Sequence, residues 1–189
     1  MMKMVITMAI DIEQFMLDIY TPMIDYSGAD QLLLANQKVP DDQLKDDRII
    51  YNMIVSGNTG GRHTVIKQEE VVPHEGDEGF DYDIGRHNIF FPEATLSITG
   101  YNNTTMELAK LRDWFYIKDL AAKWFKEQET DCVVRQVMEI NDRTVYLESD
   151  YEKRHGFDVI LEFKDIVTVA YRTIEYVEVH GLIDKTIDI

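Results

Sequence analysis

Residues 90–125 read FFPEATLSITGYNNTTMELAKLRDWFYIKDLAAKWF. Within them Thr95 to Tyr101 alternates, Leu96 and Ile98 on one face and Thr95, Ser97 and Thr99 on the other, the pattern of a half-buried strand. Asn102 and Asn103 turn the chain. Thr104-Thr105-Met106-Glu107 then has the spacing of a capping box, with Thr104 as N-cap and Glu107 three positions on. The helix it opens is apolar at Leu108, Leu111 and Phe115, which form one stripe. Beyond it Ile117, Leu120, Ala121 and Trp124 again fall at helical spacing, and at about 100° per residue this second stripe points roughly opposite to the first. One helix buried on two sides would satisfy that pattern, but a break near Tyr116 and a restart at a new angle is the expectation.

The rest of the chain is read outward from this stretch. Its 189 residues are long enough for a real core, and 45% apolar residues fit a globular chain. The formal charge of −16 stands out. So acidic a chain gains nothing from counterion release on a phosphate backbone, which argues against an ordinary DNA-binding domain. One cysteine, Cys132, excludes an internal disulfide and a four-cysteine zinc site, and its Cys132-Val133-Val134 context suits a buried, inert thiol. The apolar start, Met1 to Ile10, is too short for a membrane span and runs straight into Asp11 and Glu13 with no cleavage signal. A chain made in the cytosol and not exported is expected.

Asp11 is placed to cap a first helix, with Gln14 three positions later, a buried stripe at Ile12, Phe15, Met16 and Ile19, and Pro22 as its close. Leu32-Leu33-Leu34 suggests a second short helix, and Val39 to Asp47 a solvated loop. Ile49 to Ser56 alternates with both faces largely apolar, which predicts an interior strand. Thr64 to Val72 reads as its partner strand. Residues 73–88 read as a long polar loop. Asp131 to Ile140 and Thr144 to Leu147 read as strands about a turn at Asn141-Asp142-Arg143. Phe157, Val159, Leu161 and Phe163 point to the core from another strand, with Asp158, Ile160 and Glu162 opposite. The phase slips at Asp165-Ile166, so a bend is expected there. One unbent strand over 157–179 would span about 75 Å at roughly 3.3 Å per residue, so the last part is a separate strand or an arm reaching past the domain.

No reactive constellation emerges. The five histidines, His63, His74, His87, His155 and His180, share no ligand spacing, and no nucleophile elbow is present. Gly57-Asn58-Thr59-Gly60-Gly61 lacks the Lys-Ser/Thr ending of a phosphate-binding loop. The acidic, glycine-punctuated residues 75–83 invite a calcium reading, but the spacing is not that of an EF-hand. No catalytic residue, cofactor or metal site is assigned.

Leu111-Arg112-Asp113-Trp114-Phe115 and the run from Tyr146 through Ser149, Asp150, Tyr151, Arg154, His155 and Gly156 to Val159 resemble the neck or tail terminator family of long-tailed bacteriophages. Leu34-Ala35-Asn36-Gln37, the strands at Ile49 to Ser56 and Glu93 to Tyr101, and Thr173 to Val177 are similar in order and spacing. The resemblance covers roughly residues 12 to 180, leaving a longer N-terminal segment and a tail beyond Val179. It implies an α+β domain, an antiparallel or mixed sheet with helices on one face, over residues 11–179, flanked by segments 1–10 and 180–189. It also implies a virion protein, assembled in the host cytoplasm, whose ring of six copies ends the tail tube and joins it to the neck connector or a stopper protein. A sheath is a further possible partner, and genome DNA passes through without specific binding. A head-to-tail adaptor or minor tail component is the alternative within the class, and a cytosolic metal-binding module using residues 73–88 the alternative outside it. For a ring, Trp114, Phe115, Trp124, Tyr151, Arg154 and Tyr171 are the expected interface residues. Arg154 is suited either to pairing with an acidic neighbour across subunits or to standing as a surface arginine with no role.

Overall fold

The computed structural model describes residues 11–35, 37–54, 66–73, 82–147 and 150–172. Its centre is a mixed sheet ordered β1-β2-β5-β10-β6, from Leu32–Leu34 (β1), Ile49–Ile54 (β2), Glu93–Tyr101 (β5), Arg154–Phe163 (β10) and Cys132–Val137 (β6). A short β7, Asn141–Asp142, also pairs with β10. Among the described residues only β1 and β2 run parallel. The sheet's inward rows, Ile49 and Tyr51, Leu96 and Ile98, and Phe157, Val159, Leu161 and Phe163, join four helices in one apolar core. These are α1 (Ile12–Asp18), α2 (Tyr20–Ser27), α3 (Thr105–Tyr116) and α4 (Ala121–Glu127). The class is α+β, as the alternating and helical periods together predict.

The break after Tyr116 is real: α3 ends there and α4 restarts at Ala121. Thr104 is the N-cap of α3, but the capping-box bonds are absent. Its backbone is not extended, so its hydroxyl donates to the Tyr101 carbonyl at 3.1 Å, and Glu107 Oε2 is buried without a hydrogen-bond partner. Asp11 does cap α1, accepting from the Gln14 amide at 2.9 Å. Pro22 closes no helix. It lies in the first turn of α2, where its missing N–H is no loss, and the chain bends at Ile19 rather than stopping.

Three expectations are corrected. Leu32–Leu34 is a strand, because three apolar residues lying beside β2 bury better on a sheet edge than in an isolated turn of helix. The strand expected from Thr64 is β3, Ile66–Pro73, and it pairs with Tyr82–Phe90 (β4), not with β2. The polar loop expected over residues 73–88 is therefore strand at both ends, and residues 74–81 lie outside the described ones. Charged and polar residue types such as Asp83, Arg86 and His87 hid this strand from a reading by apolar alternation.

β4 also pairs with Asp165–Arg172 (β11), giving a second sheet ordered β11-β4-β3. The two sheets share one ladder. The pairing that runs from Arg154↔Tyr101 to Glu162↔Glu93 resumes in unbroken register as Asp165↔Phe90 and ends at Arg172↔Asp83. Pro92, without an N–H, interrupts it opposite Phe163, whose amide bonds to the Pro92 carbonyl at 2.9 Å. The ribbon is about 60 Å long at roughly 3.3 Å per residue. One end lies under the helices; the other carries the three-stranded sheet, whose strands pack chiefly on one another. At the helix-packed end, Val145–Leu147 (β8) and Asp150–Glu152 (β9) form a separate hairpin.

Candidate assembly interface

The six expected interface residues divide into three groups. Trp114 and Phe115 are 4% and 3% exposed, so the chain's own core encloses them. Their rings stack edge-on at 4.8 Å, and Trp114 also meets Phe125 at 6.4 Å and Trp124 at 6.3 Å. Phe15 extends the cluster to Phe125 and Phe163. The cause is the break at Tyr116. Because α4 starts at a new angle, its Ala121 and Phe125 turn back beneath α3, and Leu120, Ala121 and Trp124 of the second stripe pack on the same core while Ile117 stays exposed. Of this group only Trp124, partly buried at the cluster's rim, reaches the surface.

Tyr151 and Arg154 come together at the β8–β9 hairpin. Tyr151 is 67% exposed and packs against Tyr146 across the hairpin, ring centroids 4.9 Å apart. Val145, Tyr146 and Leu147 are exposed beside it. Within its own chain the Arg154 guanidinium pairs with Glu152 and lies 5.0 Å from the Tyr101 ring centroid. Arg48 approaches the same ring at 4.2 Å and the same carboxylate at 3.5 Å. Two cations around one ring and one carboxylate pin the base of the hairpin to β5. Tyr171 lies far along the ribbon, in β11 opposite Ile84.

Sequence reasoning missed Val145, Tyr146 and Leu147, although Tyr146 and Tyr151 flank a short polar turn, the signature of a cross-strand aromatic pair. It also missed Tyr116, exposed beside Ile117 of the second stripe where the chain leaves α3. The outer face of the central sheet is polar at its middle. Arg143 donates to Ser97 Oγ at 2.9 Å and Thr99 Oγ1 at 3.1 Å and pairs with Asp158 at 2.8 Å. Arg112, Arg135 and Arg86 are likewise paired, with Glu139, Glu162 and Glu69. With 35 acidic residues against 19 basic ones, these partners leave a surplus of carboxylates. Hydrogen bonds from Thr144, and the nearby His155, hold the Asp142 carboxyl below the usual carboxylate range. Burial pushes the Cys132 thiol up to about 12, which makes it inert at neutral pH.

Among the described residues no three His, Cys, Asp or Glu side chains are grouped to hold a metal ion. No described helix is long and apolar enough to cross a membrane. Compared with known proteins, residues 12–186 match the family model described as phage neck terminator protein. The match runs past Val179, so most of the tail that looked exceptional is shared with the family. A search of curated proteins gave no match.

Proposed function

The chain belongs to the phage neck terminator family, and from that premise we propose that six copies close into a ring that ends the tail tube and joins it to the head connector. Membership makes the protein a structural component of the virion's neck and tail. The ring, its number and its contacts are our inference.

One observation carries it. The chain completes a core of its own, yet it leaves Val145, Tyr146, Leu147 and Tyr151 in water on a single hairpin. Clustered tyrosines beside aliphatic side chains are the composition of a protein contact, and a monomer has no use for them. A closed ring joins a patch on one subunit to a different patch on the next. Tyr151, Arg154, Tyr171 and the exposed rim of Trp124 are the proposed contact positions. Trp114 and Phe115 stiffen the wall behind them. The tail tube protein and a connector or stopper protein would meet the two faces of the ring, and a sheath its outside in a contractile tail. The chain contributes scaffolding and no catalytic step.

Genome DNA would cross such a ring, and surplus carboxylates facing the bore would keep it from sticking. Native mass measurement, and electron microscopy of the protein mixed with isolated tail tubes, test the proposal. Six-fold mass and capped tube ends are expected. A protein that stays monomeric at high concentration and ignores tube ends overturns it, and a bore lined by lysine and arginine overturns the part about DNA.

A further inference from the structure

The β8–β9 hairpin joins the central sheet across a gap in the backbone ladder. β7 and β10 pair as far as Asp142↔His155, and the Arg143 amide still reaches the Arg154 carbonyl at 2.8 Å. At the next step the Arg154 amide meets the Thr144 hydroxyl at 3.4 Å instead of a carbonyl. The Lys153 carbonyl accepts from the Asn102 amide at 3.0 Å, away from the first leg of the hairpin. Pairing resumes at Val145↔Glu152 and runs to Leu147↔Asp150. Among the described residues no third strand joins these two. So short a two-stranded hairpin is marginal in water by itself, and across the gap side chains, not backbone bonds, set its angle to the sheet.

Arg143 stands at that gap. Its guanidinium lies over the outer face of the central sheet, where Nη1 donates to Ser97 Oγ and Thr99 Oγ1 and Nη2 pairs with Asp158. Its path crosses β10 at Gly156, where a Cβ would come within 2.9 Å of Nη1 and 3.0 Å of Cδ. The missing side chain is what lets the arginine lie flat there. The Arg143 side chain is 27% exposed, so its bonds are better sheltered from water than those of an open surface pair. The second leg is held differently, through Glu152 of the hairpin, which pairs with Arg48 and Arg154. Of these three arginines, Arg143 alone bonds side chains of both β5 and β10. Three acceptors on two strands suit a planar fork, whereas a lysine offers a point charge on a flexible stem.

A contact that closes a ring must hold its patch at one angle, because a rotation that varies between subunits gives open or mixed assemblies. We propose that Arg143 is the positioning residue of the assembly contact, locking the hairpin that carries Val145, Tyr146, Leu147 and Tyr151 at one angle to the central sheet. This rests on the assembly reading given above and deepens it by naming what holds the contact surface in place.

Hydrogen exchange on the full-length chain, diluted until it is monomeric, reads the hairpin apart from any ring. Arg143→Met should speed exchange of the protected hairpin amides about tenfold while those of Leu96, Ile98, Val159 and Leu161 stay slow. At higher concentration, sedimentation should show self-association weakened about tenfold. Arg143→Lys should recover only part of either effect. Hairpin exchange unchanged in a folded Arg143→Met chain overturns the proposal and leaves the ring standing. A loosened hairpin with undiminished association also overturns it, since Arg143 would then serve the subunit alone. Full recovery by lysine overturns it as well, by making charge sufficient without the fork. If circular dichroism shows that Arg143→Met does not fold, Ser97→Ala with Thr99→Ala takes its place. That pair removes two of the acceptors, leaves Asp158 matched, and carries the same expected and contrary results. A native chain that is monomeric at every concentration removes the ring reading and the positioning role with it.

Discussion

Gly100 shows how closely the strand and helix of the deciding stretch are joined. A Cβ built there would meet the Thr104 hydroxyl and come within 2.7 Å of Leu108 Cδ1, both at the start of α3. Gly100→Ala should therefore destabilise by about 2 kcal/mol through overpacking, lowering the melting temperature by about 4–8 °C for a chain of this size. A melt unchanged within a degree would mean that α3 can shift. Tyr51 makes the other single-residue link, its phenol donating to the Met16 carbonyl at 2.9 Å and tying β2 to α1. Burial, helped by nearby Tyr20, raises its pKa from 10.0 to about 12. The folded state favours the neutral phenol, so this contribution is whole below pH 10 and is lost as pH rises from 10 toward 12. The stability difference between the native chain and Tyr51→Phe, read from denaturant midpoints, should shrink across that interval. A constant difference would contradict it. The sequence indicated Tyr51 as buried from its alternation, but a hydrogen bond across 35 positions leaves no local pattern. Thr104 carries the same lesson, since the cap position was legible and the direction of its hydroxyl was not.

At the scale of elements, period was legible and partnership was not. The helix break at Tyr116 showed as a change of stripe, and the alternation of Phe157 to Phe163 set its face correctly. Leu32–Leu34 is too short for any period, and the polar residues of β4 gave no core-facing row to read, so both were assigned from composition and wrongly. The end of α4 offers a test of local backbone chemistry. The Glu129 amide bonds to the Lys126 carbonyl at 3.2 Å and the Thr130 amide to the Phe125 carbonyl at 2.9 Å, the two bonds of a Schellman ending. That ending needs a left-handed residue, and Glu129 supplies it at φ 52°. A non-glycine there costs about 1 kcal/mol. Glu129→Gly should thus stabilise by about 0.5 kcal/mol once the greater freedom of glycine in the unfolded chain is subtracted, seen as a melting temperature higher by about 1–2 °C. A lower melting temperature would show that the glutamate side chain contributes something its exposure conceals.

At the scale of the molecule, the continuous ribbon separates two regions with different needs. Its inner half is sealed by helices, so substitutions there disturb folding. The hairpin beside that half is apolar and wet, so substitutions there should disturb association and spare the fold. Folding and association can therefore be separated by one pair of changes, Tyr146→Ser with Tyr151→Ser. The two rings touch each other across the hairpin, and both are more than half exposed. Losing a cross-strand pair of this kind costs the subunit at most about 1 kcal/mol. Two buried tyrosines at an assembly contact are worth roughly 2 kcal/mol each when truncated, which together would weaken subunit association by about a thousandfold. The double variant should melt within about 4 °C of the native chain and yet sediment as a monomer at concentrations where the proposed ring of the native chain is expected. If it assembled undiminished, the hairpin would have to face the tube or the connector, and mixing the variant rings with tail tubes would then show bare tube ends. If it assembled and also capped the tubes, the exposed tyrosines would have no part in the neck at all.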